Sequence, residues 1–251
     1  ESAALAQPLA VGIHGARRAN IRSGDRVIVL GSGAIGSFVL VALKKYGVHI
    51  TAIDVSESRL ATAKLLGANA TLLIKPEDSA ADLKKYFSDG ADVVIESSGA
   101  PGSAVKALAL VKMGGNLLLM GLNKTPQDFP FVDAVLREIE IHTTVAHVCK
   151  DDIPEALELL ESGEVANLLT DKTFKLDDSV EAPKPSDIYV STKSKIAYLN
   201  KPLDYINIFW NIPVIPYSMP KDGVIKKVIK ITSPTPEYLQ DMQNKLKNEL
   251  Y

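Results

Sequence analysis

Residues 26–36 read RVIVLGSGAIG, and residues 49–54 read HITAID. The four apolar residues 27–30 predict a short buried strand that leads directly into a glycine-rich turn with the spacing GxGxxG. An apolar helix follows the turn, and Asp54 ends a second apolar strand. Strand, glycine turn, helix and strand in this order are typical of a βαβ unit that binds a dinucleotide.

Each glycine of the turn has its own predicted role. Gly31 permits the tight change of direction, Gly33 lets the backbone approach a pyrophosphate, and Gly36 lets the helix pack closely on the strand. The N–H groups at the start of the helix then face the phosphates. The alternative is a glycine-rich turn in a domain of this kind that has lost its ligand.

Asp54 predicts which dinucleotide is bound. A carboxylate at the end of the second strand can accept hydrogen bonds from both ribose hydroxyls of the adenosine. The same charge would repel the 2′-phosphate of NADP. The sequence therefore predicts NAD as the cofactor and disfavours NADP.

The composition limits the classes of partner. The chain of 251 residues has 28 basic and 30 acidic side chains, so its charge does not indicate a nucleic acid or a membrane as partner. Cys149 is the single cysteine, which excludes an internal disulfide and a multi-cysteine zinc site. No apolar run reaches the roughly 18 residues of a membrane-spanning helix, and no signal peptide is visible. We expect a cytoplasmic protein.

Regular alternation of strand and helix patterns predicts an α/β fold with a doubly wound parallel sheet, the Rossmann architecture. The predicted strands are residues 27–30, 50–53, 71–74, 92–96, 116–120 and 139–145. A helix over residues 103–113 is expected to stop at the glycine pair 114–115. A later helix is expected over residues 152–162, with Asp151 or Asp152 as its N-cap.

The composition changes at about residue 183. Residues 1–182 have 18 basic and 24 acidic side chains, whereas residues 183–251 have 10 lysines and 6 acidic residues. The stretch EAPKPS at 181–186 is polar and rich in proline, as in a linker. These features predict a Rossmann domain over residues 1–182 and a small α+β domain of unknown role over residues 183–251.

Several stretches of the sequence resemble those of a known protein family. Residues 1 to about 182 are similar to the cofactor domain of the medium-chain dehydrogenase/reductase family, in particular its zinc-type alcohol and polyol dehydrogenases. The matching stretches keep the family's order and spacing, and they are residues 1–14, 24–36, 54–60, 63–68, 92–99, 114–121 and 155–163. The resemblance implies an oxidoreductase that uses NAD.

The resemblance also implies roles for individual residues. The pyrophosphate would lie against Gly31, Gly33, Ala34, Ile35 and Gly36. Asp54 would hold the adenosine ribose with Arg59 beside it, and the nicotinamide end would be lined by Ser97, Ser98, Gly121 and Leu122. Two alternatives stay open, because Arg59 could be a solvated helix residue and the serine pair could form only a turn at a strand end.

Departures from the family pattern concern the catalytic part. Family members begin with a separate domain that binds a catalytic zinc, and this domain is not in the sequence. Gln7 stands where the polyol dehydrogenases have a glutamate near the metal, and a neutral amide is a poor zinc ligand. The histidines are scattered singly. We therefore expect no zinc in this chain, identify no catalytic residue, and expect alcohol turnover only if a catalytic domain is supplied.

Two further expectations concern partners. The resemblance implies a possible homo-oligomer that pairs through an edge strand, here near residues 116–131. A second hypothesis for the function is an interaction protein, in which the Rossmann domain is a scaffold and the basic residues 183–251 bind a protein or a nucleic acid.

Overall fold

The computed structural model of the chain describes residues 2–123 and 126–170. These residues form six strands, which are β1 Arg26–Leu30, β2 His49–Asp54, β3 Ala70–Leu73, β4 Ala91–Glu96, β5 Val111–Leu119 and β6 Glu140–Thr143. The predicted domain boundary at residues 182 and 183, and the predicted α+β domain over 183–251, lie outside the described residues.

Helices connect and cover these strands. The α-helices of the described residues are α1 Ala6–Arg18, α2 Ala34–Leu43, α3 Glu57–Leu65, α4 Ala80–Lys84, α5 Ser103–Leu110, α6 Phe131–Leu136, α7 Cys149–Leu160 and α8 Glu164–Leu169. Short 3₁₀ turns precede α1 at Ser2–Leu5 and follow α2 at Lys44–Tyr46. Among residues 2–123 and 126–170, every helix is too short or too polar to span a lipid bilayer.

All six strands run parallel in the order β3-β2-β1-β4-β5-β6. From β1 the sheet continues through β2 to β3 on one side, and through β4 and β5 to β6 on the other side. The predicted doubly wound parallel sheet is confirmed. Such a sheet has a crevice outside the carboxyl ends of β1 and β4, where the strand order reverses, and ligands bind there in sheets of this type.

Both faces of the sheet are buried. Val27 and Val29 of β1 belong to the apolar core under α1, α2, α3, α7 and α8, whereas Ile28 and Leu30 belong to the core under α4, α5 and α6. Helices on both faces explain why β1 is a continuous apolar run instead of an alternating one.

Helix α1 is an element that the sequence analysis did not predict. It packs directly on α2, and a Cβ added to Gly12 would lie 2.6 Å from the carbonyl carbon of Phe38. The two helix backbones can approach this closely only because residue 12 has no side chain. Close packing with a distant part of the chain, which a local pattern does not show, holds this helix in place.

The predicted end of the fourth crossover helix is wrong. Helix α5 ends at Leu110, and the chain enters β5 at Val111 instead of at residue 116. In the ladder with β4, Ala91 pairs with Val111, but Val93 pairs with Asn116. Gly114 has φ +67°, so the glycine pair allows an irregularity inside a strand rather than a helix stop.

Helix α7 also begins earlier than predicted, at Cys149, with Val148 as its N-cap. The predicted cap Asp152 is instead fully buried in the first turns of the helix. Its Oδ2 accepts the backbone N–H of Val148 at 2.6 Å and lies 3.1 Å from Nδ1 of His14. Its Oδ1 accepts a hydrogen bond from Arg17 at 2.6 Å. One buried carboxylate therefore ties α1 to α7.

Among the described residues, the outer strand on this side of the sheet is β6. Asn116, where the predicted oligomer edge begins, lies in β5, which pairs with both β4 and β6. Residues 116–119 are therefore interior to the sheet and are not an edge. Formation of a homo-oligomer stays a prediction.

Candidate functional site

The glycine turn is built differently at each of its three glycines. Gly31 has φ +97°, and a Cβ there would lie 2.7 Å from the Cβ of Ser98. A Cβ on Gly36 would lie 1.9 Å from the carbonyl oxygen of Gly31. A Cβ on Gly33 would meet no atom within 4 Å. The fold itself needs the first and third glycines, whereas Gly33 faces open space.

Helix α2 begins at this open space. Gly33 is its N-cap and provides no side-chain cap. Ala34 is exposed and Ile35 is half-buried, so the first turn lies at the surface. The first N–H groups of a helix have no carbonyl partner within the helix, and the helix dipole makes this end positive. An anionic group above Gly33 could accept hydrogen bonds from these N–H groups and would be stabilised by the helix dipole.

Asp54 lies beside the turn, with its side chain 3% exposed. Its Oδ2 accepts the backbone N–H of Ser32 at 2.7 Å, and its Oδ1 accepts the backbone N–H of Ser56 at 2.9 Å. Arg59 Nη1 lies 3.4 Å from Oδ1, and the Arg59 side chain is only 16% exposed. Arg59 is therefore packed beside Asp54, and the alternative of a solvated helix residue is wrong.

The residues that follow β4 pack against the same glycine turn. The Ser97 hydroxyl donates to the carbonyl oxygen of Gly31 at 2.7 Å. Oε1 of Glu96 accepts two hydrogen bonds from Ser98, one from its backbone N–H at 2.8 Å and one from its side-chain hydroxyl at 2.5 Å. The same oxygen accepts the backbone N–H of Gly99 at 3.0 Å. The sequence analysis missed Glu96. An acidic residue at the end of an otherwise apolar strand is the signal that would have found it.

Gly121 joins the end of β5 to this group. Its backbone N–H donates to the carbonyl oxygen of Glu96 at 3.0 Å. A Cβ on Gly121 would lie 2.2 Å from the nitrogen of Gly99 and 2.3 Å from Oε2 of Glu96. Leu122 follows with 81% of its surface exposed. The structure thus brings the predicted site residues together along the carboxyl edge of β2, β1, β4 and β5.

A cavity at the end of β6 adds residues that the sequence analysis did not single out. Its volume is about 460 Å³, and it is lined by His14, Arg18, Thr143, Thr144 and Val145. Thr144 follows the carboxyl end of β6, in line with the ends of the other strands. No local motif marks these residues, because α1 and β6 are far apart in the sequence.

Metal ligands are a separate question. Within residues 2–123 and 126–170, no group of three or more His, Cys, Asp or Glu side chains could hold a metal ion. Gln7 lies in the first turn of α1. We assign no zinc ligand to the described part of the chain.

Comparison with known families decides the assignment. Residues 34–162, about half of the chain, match the model of a family described as zinc-binding dehydrogenase. The chain belongs to this family. The matched segment begins at the first residue of α2 and includes Asp54, Glu96 and Gly121.

Similar proteins include polyol dehydrogenases. Sorbitol dehydrogenase from Bacillus subtilis is 33% identical over 189 residues, and human sorbitol dehydrogenase is 34% identical over 187 residues. Each alignment covers 72% of this chain and 52% of the relative. The chain thus spans about half the length of the relatives that it matches.

Solved structures show the same architecture. L-idonate 5-dehydrogenase from Escherichia coli superposes with a TM-score of 0.65 at 28% identity, covering 72% of this chain and 52% of that chain. For 2R,3R-butanediol dehydrogenase from Bacillus subtilis the TM-score is 0.63 at 28% identity, with 70% and 51% covered. The predicted resemblance to medium-chain, zinc-type dehydrogenases is confirmed.

Proposed function

We propose that this chain is the NAD(H)-binding domain of an alcohol or polyol dehydrogenase. The open space above Gly33 is the observation that carries the proposal. It lies at the start of α2 and next to the Ser32 N–H that Asp54 holds. A pyrophosphate and a ribose therefore have adjacent sites on one turn.

The residues present fit NAD. The pyrophosphate would be held by the turn and by the first residues of α2, namely Gly31, Gly33, Ala34, Ile35 and Gly36. Asp54 accepts two backbone N–H groups and a 3.4 Å hydrogen bond from Arg59, and a carboxylate has about four acceptor positions. One position therefore remains for a ribose hydroxyl, and a second hydroxyl would take the place of the Arg59 contact. Arg59 would lie beside the adenosine. The Asp54 charge disfavours the 2′-phosphate of NADP.

The nicotinamide end would lie farther along the carboxyl edge, against Ser97, Ser98, Gly121 and Leu122. When bound, NAD supplies a hydride acceptor for the oxidation of an alcohol carbon. The residues of this chain bind and orient the cofactor for that step. Ser97 and Ser98 support this arrangement because both pack on Gly31, the first residue of the phosphate turn.

The substrate is proposed only as a class. The relatives named above are sorbitol, idonate and butanediol dehydrogenases, which act on small polyols or hydroxy acids as their names state. We propose the same class for the whole protein. Because this chain spans about half of their length, we assign no catalytic residue, and we expect turnover when a catalytic domain is supplied.

Titration of the purified chain with NADH and with NADPH, followed by nicotinamide fluorescence, tests the proposal. We expect saturable NADH binding and NADPH binding that is weaker by roughly tenfold or more, because Asp54 repels the 2′-phosphate. Gly33→Ala should lower the melting temperature by no more than a few degrees and lose NADH binding, since the added methyl enters only the open space. A wild-type chain that binds neither dinucleotide would overturn the proposal.

A further inference from the structure

Glu96 is a buried carboxylate with an unusual set of partners. The residue is 2% exposed at the end of β4. Within the described part of the chain it forms no ion pair with a lysine, arginine or histidine. Its Oε1 is held by neutral donors only, the backbone N–H groups of Ser98 and Gly99 and the Ser98 hydroxyl. Among residues 2–123 and 126–170, this carboxylate is hydrogen-bonded but has no basic partner.

The turn after β4 does not need this charge. A glutamine carbonyl oxygen at the same position could accept the same backbone N–H groups. Burial of a carboxylate without a cation costs free energy that burial of an amide of similar size does not. If residue 96 only held this turn in place, a glutamine would therefore stabilise the fold at least as well as the glutamate.

The position of Glu96 relative to the cofactor follows from the strand order, and this step rests on the proposed function. The adenosine would lie at the end of β2 beside Asp54, and the pyrophosphate at the end of β1. The next strand along the sheet is β4, and then β5. The nicotinamide ring of a bound cofactor would therefore lie near the ends of β4 and β5. Glu96 lies directly behind Ser98 and Gly121, which would line that end.

We propose that the Glu96 charge makes this site select the oxidised cofactor. The nicotinamide ring of NAD⁺ carries a positive charge, and the ring of NADH does not. A fixed negative charge behind the ring, in surroundings that screen it less than water does, stabilises NAD⁺ relative to NADH. Glu96 is thus a selectivity residue that acts through its field and through the turn it positions, without touching the substrate.

The experiment compares Glu96→Gln with the full wild-type chain by calorimetric titration with NAD⁺, NADH and AMP. The glutamine should leave AMP affinity unchanged, because the adenosine site is on β2. It should weaken NAD⁺ relative to NADH by about three- to tenfold, the direction expected for loss of one nearby negative charge. An equal loss of both dinucleotides, or no change in their ratio, would overturn the inference.

A second variant separates the charge from the turn and serves if the glutamine variant does not fold. Ser98→Ala removes one neutral donor and keeps the carboxylate. Its ratio of NAD⁺ to NADH affinity should shift further toward NAD⁺, because the carboxylate stays in place and loses a donor that disperses its charge. A shift toward NADH would contradict the proposal. If wild type binds none of the three ligands, the proposed function fails as well; if wild type binds them and the variants leave the ratio unmoved, only this inference fails.

Discussion

The backbone N–H of Ser32, in the middle of the glycine turn, donates a 2.7 Å hydrogen bond to Oδ2 of Asp54. The two residues are 22 positions apart and lie on neighbouring strand ends. Asp54 therefore fixes the turn, and we propose that its remaining acceptor capacity binds a ribose. Substitutions can separate these two roles, because an amide retains an acceptor but loses the charge.

Asp54→Asn should change cofactor preference at a moderate cost in stability. The asparagine carbonyl can accept the Ser32 N–H, but the amide nitrogen then faces the N–H of Ser56, so we expect a loss of about 1–3 kcal/mol in the free energy of unfolding. Loss of the charge removes the repulsion of a 2′-phosphate, and Arg59, 3.4 Å from Oδ1, becomes available to pair with it. We expect the NADH to NADPH preference to fall by about tenfold or more, measured by parallel fluorescence titrations.

Asp25→Asn is a matched control for this prediction. Asp25 precedes β1 at the opposite end of the strand, where its carboxylate accepts the backbone N–H of Arg22. The same chemical change there should leave the preference between the two dinucleotides as it is in wild type. If Asp54→Asn retains the wild-type selectivity, the carboxylate does not decide between NAD and NADP.

The three glycines of the turn should respond differently to alanine. Gly31→Ala and Gly36→Ala should each lower the free energy of unfolding by at least about 2 kcal/mol, since one has φ +97° and the other would clash with a backbone oxygen. Gly33→Ala, which meets nothing and has φ −69°, should cost less than about 1 kcal/mol. Urea denaturation measures all three. Similar losses at all three positions would contradict this assignment.

Local patterns were enough to predict the βαβ unit. The strand before Gly31, the positive φ required at that residue and the acidic end of β2 at Asp54 are all encoded within 29 residues of sequence. The parallel sheet followed from repetition of the same strand and helix periods. These features were predictable because each is determined by residues that are neighbours in the chain.

The features that were missed depend on distant contacts. His14 and Asp152 are 138 residues apart, so their hydrogen bond has no local signature. The start of β5 at Val111 is set by pairing with Ala91 of β4 rather than by the helical pattern of the preceding residues. Glu96 was read as the polar end of a strand, although its side chain bonds to the turn that follows.

Asp152→Ala should destabilise the chain strongly. The substitution removes an acceptor that is fully buried and leaves the N–H of Val148 and the His14 ring without their partner. Arg17 retains its second ion pair, with Glu155, which limits the loss. We expect a cost of about 2–4 kcal/mol in the free energy of unfolding, measured by urea denaturation.

The neighbouring residue provides the control. Asp151 is exposed in the same first turn of α7, so alanine there removes only a favourable charge near a helix N-terminus. Asp151→Ala should cost less than about 1 kcal/mol. Equal effects at the two positions would show that the α1–α7 contact does not depend on the buried carboxylate.

Asp92 gives the chain a pH-dependent increment of stability. Burial raises the pKa of this carboxyl group, but the hydrogen bonds from Lys112 and from the backbone N–H of Arg26, with the charges of both side chains, outweigh it. The folded-state pKa therefore lies below the ordinary value of 3.8. A group with a depressed pKa stabilises the folded state above its unfolded pKa, and this stabilisation is lost as the pH falls through the folded value.

Comparison of wild type with Asp92→Asn by urea denaturation at several pH values tests this. The difference in unfolding free energy should be constant at neutral pH and should shrink as the pH falls below about 4, where the unfolded carboxyl begins to bind a proton. In a Lys112→Met background the same comparison should depend less on pH, because the main stabilising partner is gone. A difference that stays constant down to the acid limit of folding would contradict a depressed pKa.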